Sequence, residues 1–180
     1  MSGNPPPELL IPDWPLPPGV RALLTTRRGG TGRGPLAGFS LGEGCGDAPG
    51  AVRRNRRLLR KAAGLPAEPL WLRQVHGRQI IRAGDYRPGV EADGCLADRP
   101  GTVCVVLTAD CLPLLLCDEA GREVAAVHAG WRGLASGIVP AAVRAFRAPP
   151  GRLLAWLGPA ICQRHYEVEE SLGQHFGSLL

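Results

Sequence analysis

The sequence predicts a single α/β domain, and three observations carry that prediction. Short apolar runs bounded by turn residues recur at Val103–Leu107, Leu112–Leu116 and Val124–Val127, the signature of core strands. Helical patterns at Asp47–Ala63 and Leu134–Ala148 alternate with such runs. The 180 residues suffice for one domain with a substantial core, and no internal repeat divides them.

The elements follow in order. Residues 1–19 are Pro-rich and predict an extended N-terminal segment ahead of a domain over 20–180. Val20–Thr26 reads as a strand. The glycine-rich stretch Arg27–Gly50 reads as a long loop, and long loops in compact domains tend to serve function. Asp47 and Pro49 mark a helix start, Gly64 and Pro66 its stop, with Leu58, Leu59 and Ala62 toward the core. Leu70–Val75 and Gln79–Ala83 read as strands joined by the turn His76-Gly77-Arg78. The polar turn Glu91-Ala92-Asp93-Gly94 precedes a further short strand. Leu134–Ala148 reads as a helix with Ile138, Val143 and Phe146 as core candidates, and Pro140 predicts a kink or a late start. Arg152–Leu157 is a strand, and Glu169–Leu180 a last helix.

Composition narrows the functional classes. Hydrophobic residues make up 44% and charged residues 21%, ordinary for a globular protein. No apolar run nears the ~20 residues that span a bilayer. The N-terminus lacks the basic and apolar regions of a secretion signal, so a cytoplasmic location without membrane partners is expected. The formal charge of +5 is carried almost wholly by Arg. The cluster Arg53, Arg54, Arg56, Arg57, Arg60 and Lys61 lies on a helical pattern without interleaved aromatics. It reads as a solvated helix face and not as a nucleic-acid site. A basic surface still favours small anionic substrates such as phosphate. Six cysteines at irregular spacing, with no Cys-x-x-Cys pair, read as reduced, five of them structural.

Chemistry concentrates at His76, Cys111 and His128, each of which follows the end of an apolar run. If the three strands share a direction, these side chains gather on one sheet edge. Two imidazoles and a thiolate suit Zn²⁺, with copper as an alternative, and three protein ligands leave a position open for catalysis. Taken singly, each residue would read as ordinary core or surface. Asp110 stands beside Cys111, and Gln74 is a candidate to orient a ligand. In His128-Ala129-Gly130-Trp131-Arg132-Gly133 the glycines permit tight turns and backbone N–H groups can hold an anion. Arg132 is either a phosphate donor or half of a structural salt bridge. Trp131 is either packing or a base-stacking ring. Asp93 is either a turn former or a site carboxylate.

Several blocks stand in the order of one family: Gln74-Val75-His76-Gly77, Ala92-Asp93-Gly94, Thr108-Ala109-Asp110-Cys111-Leu112-Pro113, His128 to Gly133, and Gly158-Pro159-Ala160-Ile161. Thr26-Arg27-Arg28-Gly29-Gly30, Asn55-Arg56 and Tyr166-Glu167-Val168 fit as well. From about Thr25 to Val168 the chain resembles the YfiH / laccase-domain family, named for multicopper polyphenol oxidation and now regarded as purine nucleoside phosphorylases. The resemblance implies mixed β-sheets flanked by helices, a fold similar to the cysteine-hydrolase fold of bacterial toxin deamidases. It implies a zinc-dependent phosphorylase acting on adenosine, inosine and guanosine with phosphate. Adenosine deaminase and methylthioadenosine phosphorylase would be side activities. His76, Cys111 and His128 would hold the metal, Asp110 would serve as acid/base or ligand partner, and Arg27, Ser40, Gln74 and Arg132 would contact substrate or phosphate. Ser40 departs from the Asn common in relatives. Relatives continue past the Tyr-Glu-Val block, so the end at Leu180 reads as a shortened form or fragment, monomeric or homodimeric.

Two other chemistries fit the same residues. A metal-independent Cys-His hydrolase or amidase, of the kind proposed for peptidoglycan editing, would use Cys111 as nucleophile and His128 as base. Copper-dependent polyphenol oxidation would be weak at best. A four-copper enzyme needs many histidines, and this chain has four in all.

Overall fold

The computed structural model describes residues 5–34 and 37–176. They fall into two compact units: one of residues up to Pro69 plus Gly101–Val103, the other of Leu70–Pro100 plus Cys104 onward.

In the first unit, β1 (Leu9–Leu10) pairs antiparallel with β2 (Leu24–Thr25). The strand expected over Val20–Thr26 shrinks to this pair. Gly19 turns the chain at φ 87°, and the Val20 N–H bonds back to Pro17. The helix α1 (Pro49–Ala62) forms where Pro49 presets the first turn. Ala48, not Asp47, is its N-cap, and Asp47 Oδ1 accepts the Ala48 N–H instead. The helix stops in a Schellman turn. Gly64 lies at φ 57°, its N–H bonds to Lys61 O, and Leu65 N–H to Arg60 O. Ala51, Val52, Asn55 and Leu59 are its buried face, whereas Ala62 is exposed and Ala63 is buried in its place.

Asn55 organises the glycine-rich loop. Its Oδ1 accepts the Thr31 N–H at 2.8 Å and the Thr31 hydroxyl at 3.0 Å. Its Nδ2 donates to Ser40 O at 2.9 Å and Gly38 O at 3.4 Å. One fully buried amide thereby replaces the ladder this loop lacks.

The second unit is a mixed five-stranded sheet with helices on one face. Its strands are β3 (Ile80–Arg82), β4 (Gly94–Ala97), β5 (Leu112–Asp118), β6 (Val124–Ala129) and β7 (Leu153–Leu157). They lie in the order β3-β4-β6-β5-β7. Only β3 and β4 run parallel; every other pair is antiparallel. Successive strand residues face opposite sides, so β4 is buried on both. Leu96 joins Leu114, Leu116, Val127, Ile138 and Phe146 in one core. Cys95 joins Ile81, Val90 and Ala92 in the other.

The single helix expected over Leu134–Ala148 is two. α2 (Trp131–Ser136) starts earlier and is broken from α3 (Ile138–Ala145) by Gly137 at φ 90°. Pro140 sits in the first turn of α3, where its missing N–H costs nothing: the late start. Ile138 and Phe146 are buried and Val143 is half-buried.

Two expected strands are not formed. Over Val103–Leu107 only Cys104 makes an isolated bridge, to Leu70, and Leu70–Val75 otherwise pairs only at Arg73. The run is half-buried and apolar as read, but burial alone does not make a ladder. The Gln74 amide serves as a substitute strand, donating to Leu107 O at 2.8 Å and accepting its N–H at 2.7 Å. Near the C-terminus, Glu170–His175 forms a 3₁₀ turn and not the start of an α-helix; residues 177–180 of the expected helix lie outside the described residues. No described helix is long and apolar enough to cross a membrane.

Replacing Asn55 by Ala removes four hydrogen bonds and strands backbone groups of half-buried Thr31, Gly38 and Ser40. We expect a loss of about 2–3 kcal/mol in urea unfolding.

Candidate metal centre

Strand direction assembles the site. From the pairings, β3, β4 and β5 begin, and β6 and β7 end, on one edge of the sheet. Just before β4 stands Asp93, and just before β5 stands Cys111. His76 lies in the turn leading to β3, and His128 is the next-to-last residue of β6. The expectation of strands sharing one direction, with each residue at a strand end, is therefore corrected. Only His128 ends a strand; Cys111 meets it because the antiparallel register sets Leu112 opposite Ala129 and Pro113 opposite His128.

His76, Cys111 and His128 converge. One ligand atom from each lies within 4.8 Å of the others. The imidazoles of His76 and His128 meet edge to face at 4.7 Å between centroids. Ligands of one tetrahedral Zn²⁺, with bonds of ~2.0–2.3 Å, stand within ~4 Å of each other, so a small side-chain adjustment closes the set. His76 is exposed, Cys111 half-buried and His128 buried, which leaves the set open toward solvent on one side.

The backbone at the site leaves no room for a larger residue at Gly130. A Cβ there would lie 2.9 Å from Cys111 Sγ and 3.1 Å from His76 Cδ2. His76 itself adopts φ 59°, a left-handed conformation that costs a non-glycine residue of order 1 kcal/mol. The compensation is Asp93, fully buried. Its carboxylate accepts the N–H groups of Val75 (3.2 Å), His76 (2.9 Å) and Gly77 (2.7 Å). It also accepts a hydrogen bond from His128 Nδ1 at 2.8 Å. A carboxylate can only accept here, so Nδ1 carries the hydrogen and Nε2 keeps its lone pair for a metal. Asp93 thus forms the turn, and the same carboxylate bonds to His128.

The Cys111 thiol is pushed above its ordinary value, by burial first and then by the negative charges of Asp110 and Asp93. At neutral pH it stays protonated until something displaces the proton, and a metal ion does so. Asp110 is exposed, and its backbone carbonyl holds the Ile161 N–H at 3.0 Å.

Other expected site residues are placed as follows. Gln74 spends its amide on Leu107. Arg132 is exposed, with its guanidinium 4.5 Å from the Trp131 ring centroid. Both residues border a cavity of about 450 Å³ that Tyr166, Glu167 and His175 also line. Arg27 and Ser40 belong to the first unit. His165 pairs with Cys162 and His175 packs near Trp131, so neither joins the His–Cys–His set. All six cysteines are free thiols; Cys95 and Cys117 are buried, but Cys45 and Cys162 are exposed and have no structural role of the expected kind. The role of Gly130 went unread in the sequence, since a close approach leaves no composition signal.

Residues 21–179 match the family described as multi-copper polyphenol oxidoreductase laccase. The chain belongs to this family. It is 48% identical over 170 residues to a Shigella flexneri protein named purine nucleoside phosphorylase YfiH, and 46% identical over 170 residues to the Escherichia coli K12 protein of that name. In both cases the match covers 94% of this chain and 70% of the relative. The crystal structure of the Neisseria meningitidis DUF152 protein NMB0706 superposes with a TM-score of 0.88 at 43% identity, over 93% of this chain and 69% of that one. The laccase-family match spans both compact units, and the α/β fold with mixed sheets is the family's.

Two outcomes test the geometry. Asp93→Asn disturbs the His128 tautomer, and titration against a chromophoric chelator should show metal affinity falling about 10–100-fold. Asp110→Asn removes a negative neighbour, so the thiolate becomes easier to form; the pH profile of Cys111 alkylation in metal-stripped protein should move to lower pH.

Proposed function

We propose that the chain is a Zn²⁺-dependent purine nucleoside phosphorylase. The observation that carries the reading is the convergence of His76, Cys111 and His128 on one sheet edge; the cavity of about 450 Å³ lined by Trp131, Arg132 and Tyr166 begins three residues after His128 in the chain. The relatives named purine nucleoside phosphorylase supply the reaction. Two imidazoles and one thiol suit Zn²⁺ better than a hard cation, and three ligands leave a coordination position open.

When bound, such an ion supplies Lewis-acid polarisation of a substrate oxygen. The remaining work falls to the chain. Asp93 keeps His128 in one tautomer and holds the His76 turn. Arg132, exposed at the cavity, offers a charge-assisted fork to inorganic phosphate. Trp131, whose ring carries the Arg132 guanidinium over one face, and Tyr166 line the cavity with aromatic surface that suits a purine. Phosphate attacks the anomeric carbon, and the base leaves with the electrons of the glycosidic bond. Asp110, exposed beside Cys111, is the proposed proton carrier. Roles for Arg27 and Ser40 in substrate contact rest on the resemblance of their sequence blocks, whereas the Gln74 amide is already engaged at both ends by Leu107. Adenosine deamination and methylthioadenosine phosphorolysis are proposed as side activities, in a cytoplasmic setting.

The Cys-His hydrolase reading draws on one feature, the aspartate–imidazole pair beside a cysteine. The Cys111 surroundings weigh against it, because burial and the carboxylates of Asp110 and Asp93 oppose the thiolate that such a nucleophile must become.

Metal analysis of purified protein, with chromatography of adenosine and inosine incubated with phosphate, tests the proposal. His76→Ala should lose both the metal and the turnover; retention of both defeats the proposal. Arg132→Ala removes a contact worth ~1.5–3 kcal/mol, so phosphorolysis should fall roughly ten- to a hundredfold while deamination falls much less. Purine release without phosphate would mark a hydrolase.

A further inference from the structure

Outside the metal centre, the described residues hold a second cysteine–imidazole pair. Cys162 Sγ lies 2.9 Å from His165 Nδ1, and both side chains are exposed. The spacing is set locally. Gln163–His165 forms a 3₁₀ turn in which the His165 N–H bonds to Cys162 O at 3.0 Å, which brings residues three apart onto one side. The preceding residue, Ile161, is fastened through its N–H to Asp110 O, so the turn hangs from an anchored backbone. The proposed phosphorolysis uses neither residue, and neither belongs to the His76–Cys111–His128 set.

We propose that Cys162 is a thiol modification site that exchanges with low-molecular-weight disulfides, with His165 as its base. In the form that reacts, the thiol donates to Nδ1. As Sγ bonds to one sulfur of the reagent, the reagent's S–S bond breaks and the thiol hydrogen passes to His165. That proton then neutralises the departing thiolate. The products are a mixed disulfide on Cys162 and one molecule of free thiol; the protein sulfur is oxidised and half of the reagent is reduced. Arg164, exposed on the same turn, adds positive charge that suits a peptide disulfide bearing carboxylates.

The chain carries its own control. Cys45 is also exposed and free, with no imidazole partner among the described hydrogen bonds. Intact protein is incubated with oxidised glutathione near neutral pH, and mixed disulfides are quantified at each cysteine by peptide mass spectrometry. Cys162 should react about tenfold faster than Cys45, and His165→Gln should bring Cys162 down to the Cys45 rate without changing Cys45 itself. Equal rates at the two cysteines, or a Cys162 rate untouched by His165→Gln, would overturn the proposal. The Cys45 rate calibrates the reagent in the same sample, and far-UV circular dichroism reports on the fold of the variant.

Discussion

The Asp93 carboxylate is the interaction on which the site depends. It gathers three consecutive N–H groups and one imidazole around a single buried group. Burying a charge is costly unless it is satisfied, and four donors satisfy it. The same contacts offset the left-handed backbone at His76, which aims that ring at Cys111 and His128. Loop shape, tautomer and ligand position are thus coupled through one side chain, and none of them could be altered without the others.

The sheet supplies the second constraint. Because β6 runs against both β4 and β5, its end lies beside their beginnings, and the parallel β3 brings the His76 turn to the same edge. Residues separated by 17 to 52 positions in sequence meet there without any long connection across the sheet. Gly130, just past β6, keeps the gap narrow enough for sulfur and two imidazoles to share. The fold invests its irregular backbone at this edge and keeps regular, two-sided apolar packing behind it, in strands such as β4.

Side-chain amides do the work of missing ladders in both units. Asn55 holds the glycine-rich loop from α1, and Gln74 holds Leu107. Each supplies donor and acceptor in the spacing of a peptide group, so backbone that cannot pair with a strand is still satisfied. Gln74 stands two residues before His76, so this clasp also steadies the approach to the metal turn.

Much of this was legible in the sequence. Alternating apolar runs and helical patterns gave the α/β class, and apolar continuity located β5, β6 and β7 to within a few residues. Residue chemistry singled out His76, Cys111 and His128, because soft and borderline ligands beside rigid strands are few. What the sequence could not decide was pairing. An apolar run reports burial, which Val103–Leu107 has in part, and not the neighbour that would complete a ladder, which it lacks. Nor could it decide that Asp93 faces inward to four donors, that Gly137 splits one helix into two, or that Gln74 serves the backbone. Those outcomes depend on contacts between residues far apart in the chain, and only the closed sheet, by fixing which edges meet, selects among them.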